Sequence, residues 1–384
     1  MFVATGGFVS AIAAGRSVPA LGLFPLRTAW SVDLPDLIGP AAFFADRAFV
    51  RLASERLASY DLRHGTTAWD VPGSATAAPV ADGSQVFVVD GTTLTAYDHT
   101  TGARRWSVAL DATPATAVAA VAGWLFIPFE HGQLAARRAA DGAALWTADL
   151  GAAAHASPTV GGDRLFVPLS DGRVVALAVG DGTRLWERRL GGAPGRILVA
   201  GTRMYVGTTD NFLYALQPSK GVIDWRWRTG ADIVAGPAMD DDRVYFVSLD
   251  NVIRALDRGS GAQRWRRTLP GRSSGGPIVA SGTVLVSALS GAAQAFLAKD
   301  GAPAGDMAAA GSMAGPLHAV EPPLVPLTLI VRVTRSLKGT RLTAMTRDVE
   351  PQITPVSPLP NAVPLEALSE PASEEPSPTP EPGR

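Results

Sequence analysis

The 384-residue chain is 47% hydrophobic and 18% charged, which gives it length and apolar content for a sizeable core and excludes a wholly disordered protein. Its formal charge of −1 conceals six glutamates against one arginine in residues 349–384, leaving the rest near +4, too weakly basic to point to nucleic acid. There is no cysteine among the 384 residues, which excludes disulfides, thiolate catalysis, cysteine-held zinc and a lipid-modified cysteine within them.

Residues 1–26 read as an apolar, small-residue-rich leader, with Ala11-Ile12-Ala13-Ala14 before Gly15 and no basic segment ahead of them. We expect an exported chain whose signal is truncated or missing, placed in the periplasm or otherwise with the cell envelope; a cytoplasmic chain with an apolar leader is the alternative. No other run of 18 uncharged apolar residues exists, so no transmembrane segment is expected. Arg27 to Leu34 follows as a tryptophan-bearing strand with no unit in front of it.

From there the chain repeats itself. Residues 96–106 carry the skeleton A-x-D-x-x-T-G-x-x-x-W, and degraded copies return about every forty residues. Gly65, Gly102, Gly142, Gly182, Gly221 and Gly261 each stand four residues before Trp69, Trp106, Trp146, Trp186, Trp225 and Trp265; Trp30 is a further copy lacking its upstream half. The repeat is clearest in residues 77–110, where strands are expected at Ala77–Val80, Gln85–Val89, Thr92–Tyr97 and Arg104–Ala109. Asp90-Gly91 reads as a two-residue hairpin. Gly132, Gly172, Asn211, Asn251 and Gly291 hold the same place at spacings of 39 to 41 residues, all residue types that tolerate a left-handed backbone. A proline marks the start of the first strand at Pro40, Pro79, Pro158, Pro237, Pro277 and Pro316, where no amide donor is needed.

Four short antiparallel strands per forty residues, without a helical 3.6-residue pattern, predict an all-β fold, an eight-bladed β-propeller of four-stranded antiparallel blades. Units begin near residues 39, 77, 115, 156, 195, 235, 275 and 314. The last has three strands, the third at Leu342–Met345, so Arg27 to Leu34 is expected to complete it and close the ring, removing an open edge. Blade seven has Gly305 where tryptophan is expected, which predicts a short or frayed outer strand. Blade eight carries an insertion around Glu321–Pro326, expected as an exposed loop. Residues 349–384, acidic and rich in proline, are expected to be a disordered tail. The domain reading is therefore leader 1–26, propeller 27–348 and tail 349–384.

The A-x-D-x-x-T-G-x-x-x-W skeleton over residues 27–347 resembles the repeat of the pyrroloquinoline-quinone-type β-propellers, on the side of their non-enzymatic, BamB-like outer-membrane assembly members. The resemblance implies that the tryptophans dock between neighbouring blades, which assigns Trp30, Trp69, Trp106, Trp146, Trp186, Trp225 and Trp265, with Gly65, Gly102, Gly142, Gly182, Gly221 and Gly261, to structural blade docking. The quinoprotein dehydrogenases of that family hold their cofactor on calcium or a lanthanide through glutamate, asparagine and aspartate oxygens, and many stack a vicinal disulfide on the quinone. This chain has no cysteine and three asparagines, one in the tail and two at hairpin turns, so we expect no catalytic residue, no bound cofactor and no metal.

Other clusters read as structural. Asp240-Asp241-Asp242 lacks the spacing of a calcium loop. His64, His99 and His131 sit at turns, and His155 and His318 at first strands, without partners at metal spacing. Trp124 and Trp227 fall outside the docking register and read as strand core. Arg104, Arg105, Arg188, Arg189, Arg226, Arg228, Arg264, Arg266 and Arg267 form a basic rim that either blocks sheet-to-sheet pairing or meets an acidic partner. The functional expectation is a monomeric, non-catalytic scaffold for protein partners in the bacterial envelope, in which any membrane association runs through a partner. A quinoprotein-type dehydrogenase or small-molecule binder using the channel is the alternative.

Overall fold

A computed structural model describes residues 22–34, 37–320 and 328–348. The leader up to residue 21, the core of the insertion and the tail lie outside the described residues. Every regular element described is a β-strand, gathered into seven four-stranded antiparallel sheets and one of five strands. These are the eight blades. Inner strands are Ala42–Phe44, Val80–Asp82, Ala119–Val121, Thr159–Gly161, Pro194–Ala200, Ala238–Met239, Ile278–Ala280 and His318–Val320. Outer strands are Thr67–Pro72, Arg104–Ala109, Ala144–Asp149, Arg184–Arg189, Ile223–Arg228, Gln263–Thr268, Pro303–Met307 and, from the N-terminal side, Leu26–Leu34.

Blade two shows how the sequence builds a unit. Its strands are Val80–Asp82, Gln85–Asp90, Thr93–Asp98 and Arg104–Ala109. The inner strand starts three residues later than Ala77 because the Thr76 and Ala77 amides both turn to the Val89 carbonyl, and Pro79 has no amide for a ladder. The hairpin also sits one residue later, since Asp90 pairs with Thr93 and leaves Gly91 and Thr92 as the loop. Gly91, Gly132, Gly172, Asn211, Asn251 and Gly291 all have positive φ, between 56° and 88°.

The core lies between blades, so middle strands are buried on both faces and read as unbroken apolar runs such as Leu165-Phe166-Val167. One cross-strand row recurs: aromatic, small residue, tryptophan. It is Phe87, Ala96, Trp106 in blade two, and Phe126, Ala136, Trp146 in blade three. The small middle residue lets the indole lean onto the aromatic ring, with centroids 5.9 Å apart in both blades. Each tryptophan-bearing outer strand carries a register shift just before its tryptophan.

The ring closes through the chain's two ends. Leu26–Leu34 runs antiparallel to Gly339–Arg347, from Leu26 opposite Arg347 to Leu34 opposite Thr340. That third strand is longer than Leu342–Met345, and a short strand at Ser312–Met313 joins the same sheet. Blade seven bears out half of its expectation: at five residues its outer strand is one shorter than those of blades one to six. Its outer strand is not frayed: Pro303–Met307 pairs from Ala293 opposite Met307 to Phe296 opposite Pro303, with the same register shift as its neighbours. Gly305, opposite Ala295, stands in the tryptophan position with φ 154°, and the ring of Phe24 lies where a side chain on that glycine would go. Leu23, counted with the leader in the sequence reading, is buried between blades seven and eight.

Candidate functional site

The docking seams are built from the turn that follows each third strand. In blade two the Asp98 carboxylate accepts the amides of Thr100 and Thr101, and the Asp98 carbonyl accepts the Gly102 amide. The Arg105 guanidinium and these amides hold the Asp98 carboxyl far below its usual range, and Arg264 with the Ser260 amide does the same for Asp257. A turn tied this way leaves one carbonyl facing the preceding blade. Trp69 donates its indole Nε1–H to that carbonyl, on His99, at 2.9 Å, and its ring covers Gly102, where a Cβ would come within 2.7 Å.

The arrangement recurs around the ring. Indole donors at Trp30, Trp106, Trp146, Trp186, Trp225 and Trp265 reach the carbonyls of Leu62, Ala139, Val179, Pro218, Arg258 and Ala298 at 2.9 to 3.4 Å. Beneath them lie Gly65, Gly142, Gly182, Gly221, Gly261 and Gly301, all with φ between 63° and 74°. Each tryptophan therefore covers the glycine of the next blade, not the one four residues ahead of it. Gly301 was missed in the sequence; Lys299-Asp300-Gly301, forty residues after Gly261, was the available signal. Phe24 had none, because its contact with Gly305 crosses almost the whole chain.

The inner strands are mostly small or aliphatic, with Asp82 as their carboxylate and Thr159, Arg196 and His318 as their other polar side chains. Asp82 accepts the Gly123 amide at 3.0 Å, and Asn211 and Asn251 are spent on left-handed hairpin turns. A calcium-held quinone needs several converging oxygens, and this donor set does not fit it. Among the described residues no group of three or more His, Cys, Asp or Glu side chains stands where it would hold a metal. His318 stacks on Phe43 across the junction of blades eight and one, with centroids 4.7 Å apart, and burial pushes its imidazole pKa down. His99 is also lowered, by burial first. His64 pairs loosely with Asp61, His131 stacks on Phe129, and His155 lies in the linker before its blade's inner strand. Trp124 stacks on Phe126, and Trp227 packs against the core between blades five and six.

Asp240 accepts the amides of Asp242 and Arg243, and the Tyr245 hydroxyl donates to it. Burial and the Asp240 charge drive the Tyr245 phenol well above its ordinary pKa. A polar cavity of about 360 Å³ opens beside this hairpin, lined by Arg203, Asp241, Asp242, Asp257 and Arg258. Most of its charges are tied to residues outside it: Arg203 pairs with Asp224, Asp242 with Arg243 and Asp257 with Arg264, and Arg258 donates to the carbonyls of Asp240 and Asp241. No acid, base and nucleophile converge at any of these places among the described residues.

Comparison with known proteins adds to this geometry. A family profile described as the outer membrane protein assembly factor BamB matches residues 27–122, 90–197 and 170–321. The outer membrane protein assembly factor BamB of Yersinia pestis is 27% identical over 112 residues, and the aligned stretch spans 28% of either chain. The crystal structure of BamB from Moraxella catarrhalis superposes with a TM-score of 0.68 at 19% identity, covering 84% of this chain and 100% of that one. The quinohemoprotein alcohol dehydrogenase ADHIIG from Pseudomonas putida HK5 reaches the same TM-score at 13% identity, covering 92% of this chain and 81% of that one. At these identities the solved structures share a fold with this chain, and nothing more follows from them.

Proposed function

Because the chain belongs to the family of the outer membrane protein assembly factor BamB, we propose that it is a non-catalytic scaffold for protein partners in outer-membrane assembly, working as a monomer in the periplasm. The observation that carries this reading is the pairing of that family match with inner strands whose side chains offer hardly any ligand chemistry. A ring of eight blades presents two broad loop faces and a rim, and loops on a rigid scaffold are where such proteins place recognition. Loss of the protein from its host is expected to lower the amount of folded β-barrel protein in the outer membrane. An unchanged outer-membrane protein profile sinks the assembly role.

The dehydrogenase reading draws on the fold shared with the quinohemoprotein enzyme. Calorimetric titration with pyrroloquinoline quinone and calcium separates the two. We expect binding weaker than millimolar, less than about 4 kcal/mol. Tight uptake with dye-linked alcohol oxidation gives the chain to the enzymes.

A further inference from the structure

The outer strands are not equally charged. Those of blades four, five and six, Arg184–Arg189, Ile223–Arg228 and Gln263–Thr268, hold eight arginines against Glu187 and Asp224. The other five outer strands together hold three arginines and four aspartates. A chain of formal charge −1 has thus gathered a net positive arc onto three adjacent blades. Glu187 is already held by Arg173 and Arg184, and Asp224 by Arg203. Arg188, Arg189, Arg226, Arg228, Arg266 and Arg267 have no carboxylate within 4.0 Å among the described residues.

Three further observations say what the arc meets. The charges are all arginine, whose planar fork matches phosphate oxygens in pairs. Exposed aliphatic side chains interrupt them, Leu185 at 43% and Val222 at 41% exposure, with Ile223 beside them. Last, strands edged with arginine resist strand addition, and the polar cavity beside the outer strands of blades five and six is lined by none of these six arginines. Charge plus scattered exposed aliphatics along a strand rim is the chemistry of an interfacial membrane contact.

We propose that the rim of blades four to six binds the surface of an anionic phospholipid membrane, so that the propeller reaches the membrane directly and not through a partner alone. This rests on the charge distribution and stands apart from the assembly role. The test is flotation of the full chain with vesicles of phosphatidylcholine alone or with about a third phosphatidylglycerol. Anionic vesicles are expected to bind at least about tenfold more protein, and salt near 0.5 M to release most of it. Arg226→Glu with Arg228→Glu should fall to the phosphatidylcholine level. Arg27→Glu with Arg104→Glu, an equal charge change off the arc, should keep more than half of the binding, with melting curves showing both variants folded. Leu185→Asn should lower what binding survives in salt. Equal binding to both lipid mixtures, or equal loss in the two double variants, overturns the proposal. Retention on polyglutamate resin without vesicle binding also overturns it and gives the arc to an acidic protein. Should a variant fail to fold, the lipid and salt dependence of the parent chain still decides.

Discussion

At six blade junctions within the chain and at the one between blades eight and one, a tryptophan of one blade covers a glycine of the next and donates to its turn; between blades seven and eight the large and small partners change sides. There the glycine, Gly305, is on the outer strand, and the aromatic, Phe24, comes from the segment leading into blade eight. The seam stays filled, with Leu23, Phe24 and Leu26 packed against Leu285, Met307 and Ile330. What differs is distance along the chain. Trp106 reaches Ala139 across 33 residues, a contact that short loops bring together, whereas Phe24 and Gly305 meet only when the two ends of the ring have been joined. Seam complementarity is thus a matter of volume, and either neighbour can supply the ring.

The comparison breaks most severely if closure itself is removed. Deleting residues 1–34 strips Gly339–Arg347 of its partner strand and is expected to leave an aggregating chain without a cooperative melt; a monomeric variant melting like the parent would refute the closure. Next comes a regular seam. Trp146→Ala removes a ring packed on Phe126 and Gly182 together with its hydrogen bond to Val179, and urea unfolding should show a loss of about 3 to 5 kcal/mol. Phe24→Ala, which removes a half-buried ring from the exchanged seam, should lose only about 1 to 2 kcal/mol. Equal losses in the two variants would show that the seams are alike after all. Gly305→Ala sharpens the contrast, because its Cβ would approach within 2.3 Å of the Phe24 ring. Its cost should shrink by about 1 kcal/mol when Phe24→Ala is already present, read as a double-mutant cycle. Independent, additive costs would place Phe24 elsewhere.

The smallest expected effect is on pH. His318 and His99 both have imidazole pKa values lowered by burial, so the folded chain keeps them neutral where the unfolded chain takes up a proton. The stability they contribute is complete above the ordinary histidine pKa of about 6.5 and is lost as pH falls below it. The melting temperature should therefore drop between pH 7.5 and 5.5, and His318→Asn should flatten part of that drop. A drop of the same size in His318→Asn would remove the seam of blades eight and one from the explanation.

Much of this was legible before any coordinates. The forty-residue period, the glycine and asparagine hairpin positions and the unpaired strand at Arg27 to Leu34 together specify eight blades and their closure, because hairpin geometry and burial of both strand faces are local demands written into adjacent residues. Strand ends were less readable. Thr76 and Ala77 look like strand residues, yet their amides turn to Val89, a choice made by the neighbouring strand. The fraying expected of blade seven fails for the same reason: Gly305 without its tryptophan looks like a defect until Phe24 is in place.

By itself the sequence determined the repeat, the all-β class and the number of blades, since each depends on residue type at a fixed spacing. Only the tertiary structure decided which glycine each tryptophan covers, which aromatic fills the exchanged seam and that eight of the eleven outer-strand arginines share one arc. Those are relations between blades. They depend on rings and charges brought together by closure, and no local preference of the chain encodes where a distant strand will lie.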